Sequence, residues 1–416
     1  MNVRRSAAVL AAVAVVGSAA APAAVADDPE PSASAALPSG LYGKTDPKFD
    51  GVFRQSYALL AQHTEGVRPA SKAVDWLTGQ QCASGGFAAY RPDASAPCNA
   101  KTAVDSNSTA AAVQALAALG GQKKTVDKSV QWLKSVQNKD GGWGYNPGLP
   151  TDANSTGIVV GALVSAGENP ADVKSKGDKS AYDALPKLVM DCAKDKGAFG
   201  LADAKSGKLS PNADATAAGV LGSLGRGLVV TAPKKSATAE PECAKADSAA
   251  QAANNGTGYL LDALGATDDH LMSAMPGSTD QPDYGNTADS VLALAAAGQQ
   301  EQAKKSATWL SKNSADWAKQ SGPAAYAQLV LAAHAAGMDA RDFGGTDLVK
   351  ELNAQGPAPR AADSTGSSDG ADTDEKKDEK NDDGGVSVWW IIGVGMVAGI
   401  GIGFLYSGNR KKKNQL

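Results

Sequence analysis

Asp105, Asn107 and Thr109 are repeated at the same spacing as Asp152, Asn154 and Thr156, again as Asn212, Asp214 and Thr216, and in shortened form as Asp283 and Thr287. Carboxyl, carboxamide and hydroxyl groups two residues apart are hydrogen-bonding and proton-transfer material. Each copy stands where a buried helix begins, and an N-cap needs only one such side chain. The excess over a cap suggests that these residues, brought together, line a polar ligand pocket. Competing chemistries have little support. The histidines His63, His270 and His334 are isolated, with no HExxH or CxxC context, so no metal and no other cofactor is expected. Asp268, Asp269 and His270 follow Gly265 and read as a solvated turn. His334 lies in an Ala-rich helix and is expected to be buried and hydrogen-bonded.

The elements that must position these residues are repeats. DSNSTAAAVQALAALG from Asp105, DANSTGIVVGALVSAG from Asp152, NADATAAGVLGSLGRG from Asn212 and DYGNTADSVLALAAAG from Asp283 all start polar, end in glycine and are small and apolar between. That is a buried helix with its caps. A second element follows it. In VQWLKSVQNKDGGWGY, Val130, Leu133, Val136 and Gln137 form the stripe of an amphipathic helix, which Gly141 and Gly142 end so that Trp143 can fold back on it. VDWLTGQQCASGGF repeats the pattern with Trp76, Leu77, Gly85, Gly86 and Phe87.

Six helix pairs follow: 50–81, 105–137, 152–193, 212–264, 283–317 and 323–352, the fourth carrying an insertion over 229–255 that reads as a loop. Six inner and six outer helices can close into a ring, which removes the open ends of a solenoid. The expected fold is all-α, an α6/α6 toroid over residues 40–355 with no long strand pattern, plus one C-terminal transmembrane helix.

The flanks predict location. Arg4 and Arg5, an Ala/Val-rich run and Ala24-Val25-Ala26 make 1–26 a secretory signal peptide, followed by a disordered leader over 27–39. Residues 356–385 read as a disordered acidic linker, and 386–406 as a transmembrane helix with Trp389, Trp390 and Tyr406 at its edges. Residues 407–416 are a basic tail on the cytoplasmic side. The toroid would then stand outside the cell membrane. Gly395, Gly399 and Gly403 have spacings that suit helix association in the bilayer, or reflect only the tolerance of glycine there. Export favours two disulfides among the four cysteines, and of the three connectivities the preferred one pairs Cys82 with Cys98 and Cys192 with Cys243. A net charge of −4, with the basic cluster at the membrane, argues against nucleic acid.

QNKDGGWG from Gln137 and QCASGGFAA from Gln81 resemble the Gln and Gly-Gly-aromatic motifs of the prenyltransferase and squalene-cyclase (terpenoid cyclase) repeat superfamily, whose members are α/α toroids. The resemblance implies that Gln81, Gln137, Phe87 and Trp143 tighten outer loops and lie outside any site. The DxDD acid motif of its cyclases and the DDxxD diphosphate motif are absent. More distantly, an exported, disulfide-bonded toroid without acid motifs resembles the ligand-holding domains of intrinsic factor and transcobalamin, although no second β-rich domain follows here. The expectation is a non-catalytic binder of a small or lipidic ligand, cobalamin-like or isoprenoid, serving a membrane transporter. Its alternatives are an exported terpenoid cyclase or prenyltransferase-like enzyme and a surface protein-interaction scaffold. A carboxyl with strongly raised titration inside the barrel would favour catalysis, and a neutral lining would favour binding.

Overall fold

The computed structural model describes residues 37–361, apart from 204–205, 232, 234–235, 237–239 and 275–280. The predicted signal peptide, most of the leader, nearly all of the acidic linker, the transmembrane helix and the basic tail lie outside the described residues. Among the described residues, no helix is long and apolar enough to cross a membrane.

Fourteen α-helices among these residues follow the expected pairing. The first three pairs are α1 (Gly51–Thr64) with α2 (Ser71–Gly79), α3 (Ser106–Leu119) with α4 (Lys123–Ser135), and α5 (Ala153–Ser165) with the short α6 (Ala181–Ala184) and α7 (Cys192–Asp195). The others are α8 (Ala213–Ser223) with α9 (Ala249–Gly265), α10 (Tyr284–Ala296) with α11 (Gln300–Asn313) and α12 (Ala315–Ser321), and α13 (Pro323–Ala336) with α14 (Leu348–Asn353). The first helix of each pair is apolar almost all round, and every residue of α13 except His334 is buried. Its partner buries one face only, as α4 does through Val126, Ser129, Val130, Trp132 and Leu133.

The inner helices pack in chain order, α1 on α3, α3 on α5, α5 on α8, α8 on α10 and α10 on α13, and α13 returns to α1. Six helices thus form a closed ring. Small residues permit it: a Cβ on Gly157 of α5 would meet the Ala218 carbonyl oxygen of α8 at 2.3 Å. The seam is tied by hydrogen bonds between the two ends of the domain. The Gly43 amide donates to the Gln355 carbonyl at 2.8 Å, and Gln62 Nε2 donates to Asn353 Oδ1 at 2.6 Å.

The signature loops join neighbouring pairs. Trp143 is fully buried, and its Nε1 donates to the Leu133 carbonyl of the helix it has just left, at 2.8 Å. Gln81 Nε2 donates to the Thr125 carbonyl and to Ser129 Oγ, both at 2.8 Å, so it binds the next pair. Gly141 has φ 98°, and a Cβ there would stand 2.1 Å from the Ser180 carbonyl oxygen. The glycine therefore serves the turn and the contact together.

Several expectations need correction. The third outer segment is broken, because Pro186 opens a 3-10 turn, Leu185–Leu188, after α6. The insertion is not a loop throughout: Ser248 caps α9, which begins at Ala249. In keeping with the absence of any long strand pattern, the strands are two short antiparallel pairs among the described residues, β1 (Phe87–Ala88) with β2 (Val104–Asp105) and β3 (Gly200–Ala202) with β4 (Leu209–Pro211). His334 is one-third exposed at the end of α13, with Nδ1 3.8 Å from Glu65 Oε1, rather than buried. His270 stacks on Trp309, so the acidic turn beside it is packed on one side. Both disulfides, Cys82–Cys98 and Cys192–Cys243, are formed as preferred.

Gly141→Ala should lower stability by about 2 to 4 kcal/mol, because a left-handed φ and a backbone clash act together. Urea unfolding checks it, and an unchanged midpoint would show that the loop does not bear on its neighbour.

Candidate functional site

The structure separates the repeated polar positions by role. The first position caps its helix. Asp105 accepts from the Ser108 amide at 2.6 Å, Asp152 from Ser155 at 2.7 Å, Asn212 from Ala215 at 2.8 Å and Asp283 from Asn286 at 3.1 Å. The third position is a clamp. Thr109 Oγ1 accepts from the Phe87 amide at 2.9 Å, Thr156 from Trp143 at 3.1 Å, Thr216 from Phe199 at 3.0 Å and Thr287 from Leu271 at 2.9 Å. Each hydroxyl pins the loop before its inner helix to that helix. These caps and threonines were expected to line the pocket, but their hydrogen bonds hold the fold.

Only the middle position faces the ring axis. Asn107 on α3, Asn154 on α5 and Asp214 on α8 line a central cavity of about 70 Å³. On α10 the same register holds Gly285, and the polar group moves one turn further along the helix, to Asp289. Phe53 and Tyr57 of α1 complete the wall, stacked on each other at 4.7 Å. At the other end Gln114 Nε2 donates to the Ile158 carbonyl at 3.1 Å, and its Oε1 accepts from the Leu228 amide at 2.8 Å. The segment from Arg226 to Leu228 thereby lines that end. The volume has room for a few water molecules, against the roughly 300–1,000 Å³ of a drug-sized ligand site.

Asn154 Nδ2 donates to Asp214 Oδ2, and Gln328 Nε2 on α13 donates to Asp289 Oδ1 at 2.8 Å. Asp214 and Asp289 keep some accessible area where they face the cavity, and the protein packed around the rest of each carboxyl desolvates it. Burial pushes the Asp214 carboxyl up to about 7, with the Asp289 charge adding to it and the Asn154 amide opposing it. Burial likewise pushes Asp289 up to about 7, against the Gln328 hydrogen bond. The Tyr57 hydroxyl is raised well above its usual range by burial and then by Asp289 and Asp214. No cation acts on either carboxyl among these causes. Asn107 is 5 % exposed, and its Oδ1 has no partner; neither has Asn154 Oδ1.

The arrangement can accept hydrogen bonds, attract positive charge, or donate a proton from a carboxyl kept neutral by its surroundings. Sequence reasoning missed Asp289, Tyr57 and Phe53. Asp289 did leave a signal, since it is a charged residue inside an otherwise small and apolar helix. Among the described residues, no group of three His, Cys, Asp or Glu could hold a metal ion.

Because the Asp214 pKa is raised on folding, ionisation opposes the fold. The stability this carboxyl contributes is full below its unfolded value near 4 and is lost as pH rises through about 7. Asp214→Asn should therefore raise Tm relative to the parent at pH 8, by the equivalent of a few kcal/mol at most, with the gain shrinking as pH falls towards 4. Thermal melts of both proteins across that range test it, and a pH-independent difference would contradict it.

Residues 53–223 match the family model described as the prenyltransferase alpha-alpha toroid domain. No curated protein matches the chain. Among 18 matching solved chains is one titled "Crystal structure of a protein from Actinoplanes". It is 14% identical, covers 72% of this chain and 94% of that chain, and has a TM-score of 0.45. The matched stretch runs from within α1 to the end of α8 and takes in four of the six inner helices. Over residues 53–223, this chain is similar to the prenyltransferase alpha-alpha toroid domain.

Proposed function

We propose that this chain is a membrane-anchored protein whose toroid stands outside the cell and holds a small ligand at the centre of its ring. One observation carries the binding reading. Asn107, Asn154, Asp214 and Asp289 reach a single cavity from four different inner helices, and two of their amide oxygens remain unpartnered. Buried polar atoms without partners are costly to the fold, so a ligand that satisfies them recovers stability lost in its absence. Anchoring rests on the sequence of 386–406 and on the basic residues after it. Transfer of the ligand to a membrane transporter is the role that such a location suits.

The raised titration of Asp214 and Asp289 favours a second reading, proton donation to an alkene by an exported terpenoid-cyclase-like enzyme. The volume favours the binder. A cavity of about 70 Å³ leaves too little space for an isoprenoid chain, and the DxDD motif is absent. The same volume is small for cobalamin.

Native mass spectrometry of the full-length protein in mild detergent, after exposure to a total cell extract, tests the reading. Binding predicts an added mass that leaves unchanged on denaturation and is lost in the Asp214→Asn, Asp289→Asn double variant. Conversion of an extract component into a new isoprenoid mass would establish the enzyme instead, and the absence of any adduct would remove the binder.

A further inference from the structure

We infer that the ligand of the central cavity is a small organic cation, a protonated amine with few heavy atoms, held between Asp214 and Asp289. The inference rests on the reading that the cavity binds a ligand, and it names the chemistry of that ligand.

Hydrogen-bonding polarity comes first. Spare acceptor capacity lies in the two carboxyls and in the unpartnered Oδ1 atoms of Asn107 and Asn154. Asn107, 5 % exposed, lines the cavity, and its Oδ1 has no protein partner. Such a lining asks for a donor. Helix N-termini often bind anions, but here the inner helices have already spent amides on their own caps: Ser108 on Asp105, Ser155 on Asp152, Ala215 on Asn212 and Asn286 on Asp283.

Charge points the same way. Asp152 and Asp283 act on Asp214 in the same sense as Asp289, Asp283 acts likewise on Asp289, and the neighbour from α13 is the neutral Gln328. From α1 the facing titratable group is Tyr57, held in its neutral form. The cation among the lining residues, Arg226, is exposed at the opposite end of the barrel. The centre is thus negative whenever either carboxyl ionises, with no protein counter-charge in contact. The aromatic faces of Phe53 and Tyr57 suit an ammonium and its short alkyl part, while the volume limits the ligand to a few heavy atoms.

Proton balance gives the inference a distinct signature. A cation that enters favours the ionised carboxyls, so each binding event releases protons into solution near neutral pH, and affinity rises with pH.

Isothermal titration of the full-length protein in detergent with methylammonium and n-propylammonium, set against 1-propanol and propionate of similar size, tests this. The expected result is binding of an ammonium at least about ten-fold tighter than 1-propanol at pH 8, weaker binding at pH 6, and a heat that varies with the ionisation enthalpy of the buffer. Asp214→Asn and Asp289→Asn should each weaken it about ten-fold or more while keeping the parent far-UV spectrum and an undiminished Tm. Equal binding of 1-propanol, tighter binding of propionate, or no binding of either ammonium overturns the cation assignment, and so does full affinity in both folded variants. If an extract-derived adduct persists when the ammonium ions fail, the binding reading stands and only the ligand class falls. If neither binds, both fall.

Discussion

Closing six helices into a ring imposes a constraint that the rest of this molecule answers. Each inner helix must touch two others and an outer layer, so nearly its whole circumference is buried. Only small side chains allow backbones as close as Gly157 and Ala218. Along the axis the same geometry leaves a space that no helix can fill with its backbone, and what stands there must come from side chains. Phe53, Tyr57, Leu221 and Leu228 fill much of it, and polar groups border the remainder. The cavity is therefore a product of ring closure, and its chemistry depends on which side chain each helix turns to the axis: two positions past the cap on α3, α5 and α8, and one turn further on α10.

The loops solve a related problem. An inner helix arrives after a glycine turn, and its orientation would be loosely determined if the turn were free. The four threonines remove that freedom, because each hydroxyl is bonded to the amide of the residue that leads the loop back to the ring. Gln81 and the loop at Gly141 then fix each pair to the next. Neighbours hold neighbours, as in an open solenoid, but here the last pair also holds the first.

Much of this was legible in the residues. The polar start and glycine end of each inner segment identified the buried helices, and Gly-Gly-aromatic identified the outer turns, because both depend on local chemistry. The site was legible in part. Position within a repeat cannot tell a cap from a cavity wall when both are polar, since the difference is rotation about the helix: Asp105 turns back to its own backbone while Asn107 turns to the axis. Asp289 escaped because Gly285 broke the pattern and moved the carboxyl by one turn. The broken third outer helix escaped because one proline, Pro186, outweighed an otherwise plausible helical run. The family match ends at Ser223, before the fifth pair, where the Gly-Gly-aromatic signature is missing although the ring continues.

The central claim is that two carboxyls from different helices share one cavity at the ring axis, with no cation acting on either. Carbon-13 NMR of the aspartate side-chain carboxyls in the full-length protein, assigned with Asp214→Asn and Asp289→Asn, measures this directly. The account predicts that both carboxyls titrate near 7, and that removal of Asp289 lowers the midpoint of Asp214. Midpoints near 4 for both, unmoved by either substitution, would contradict it.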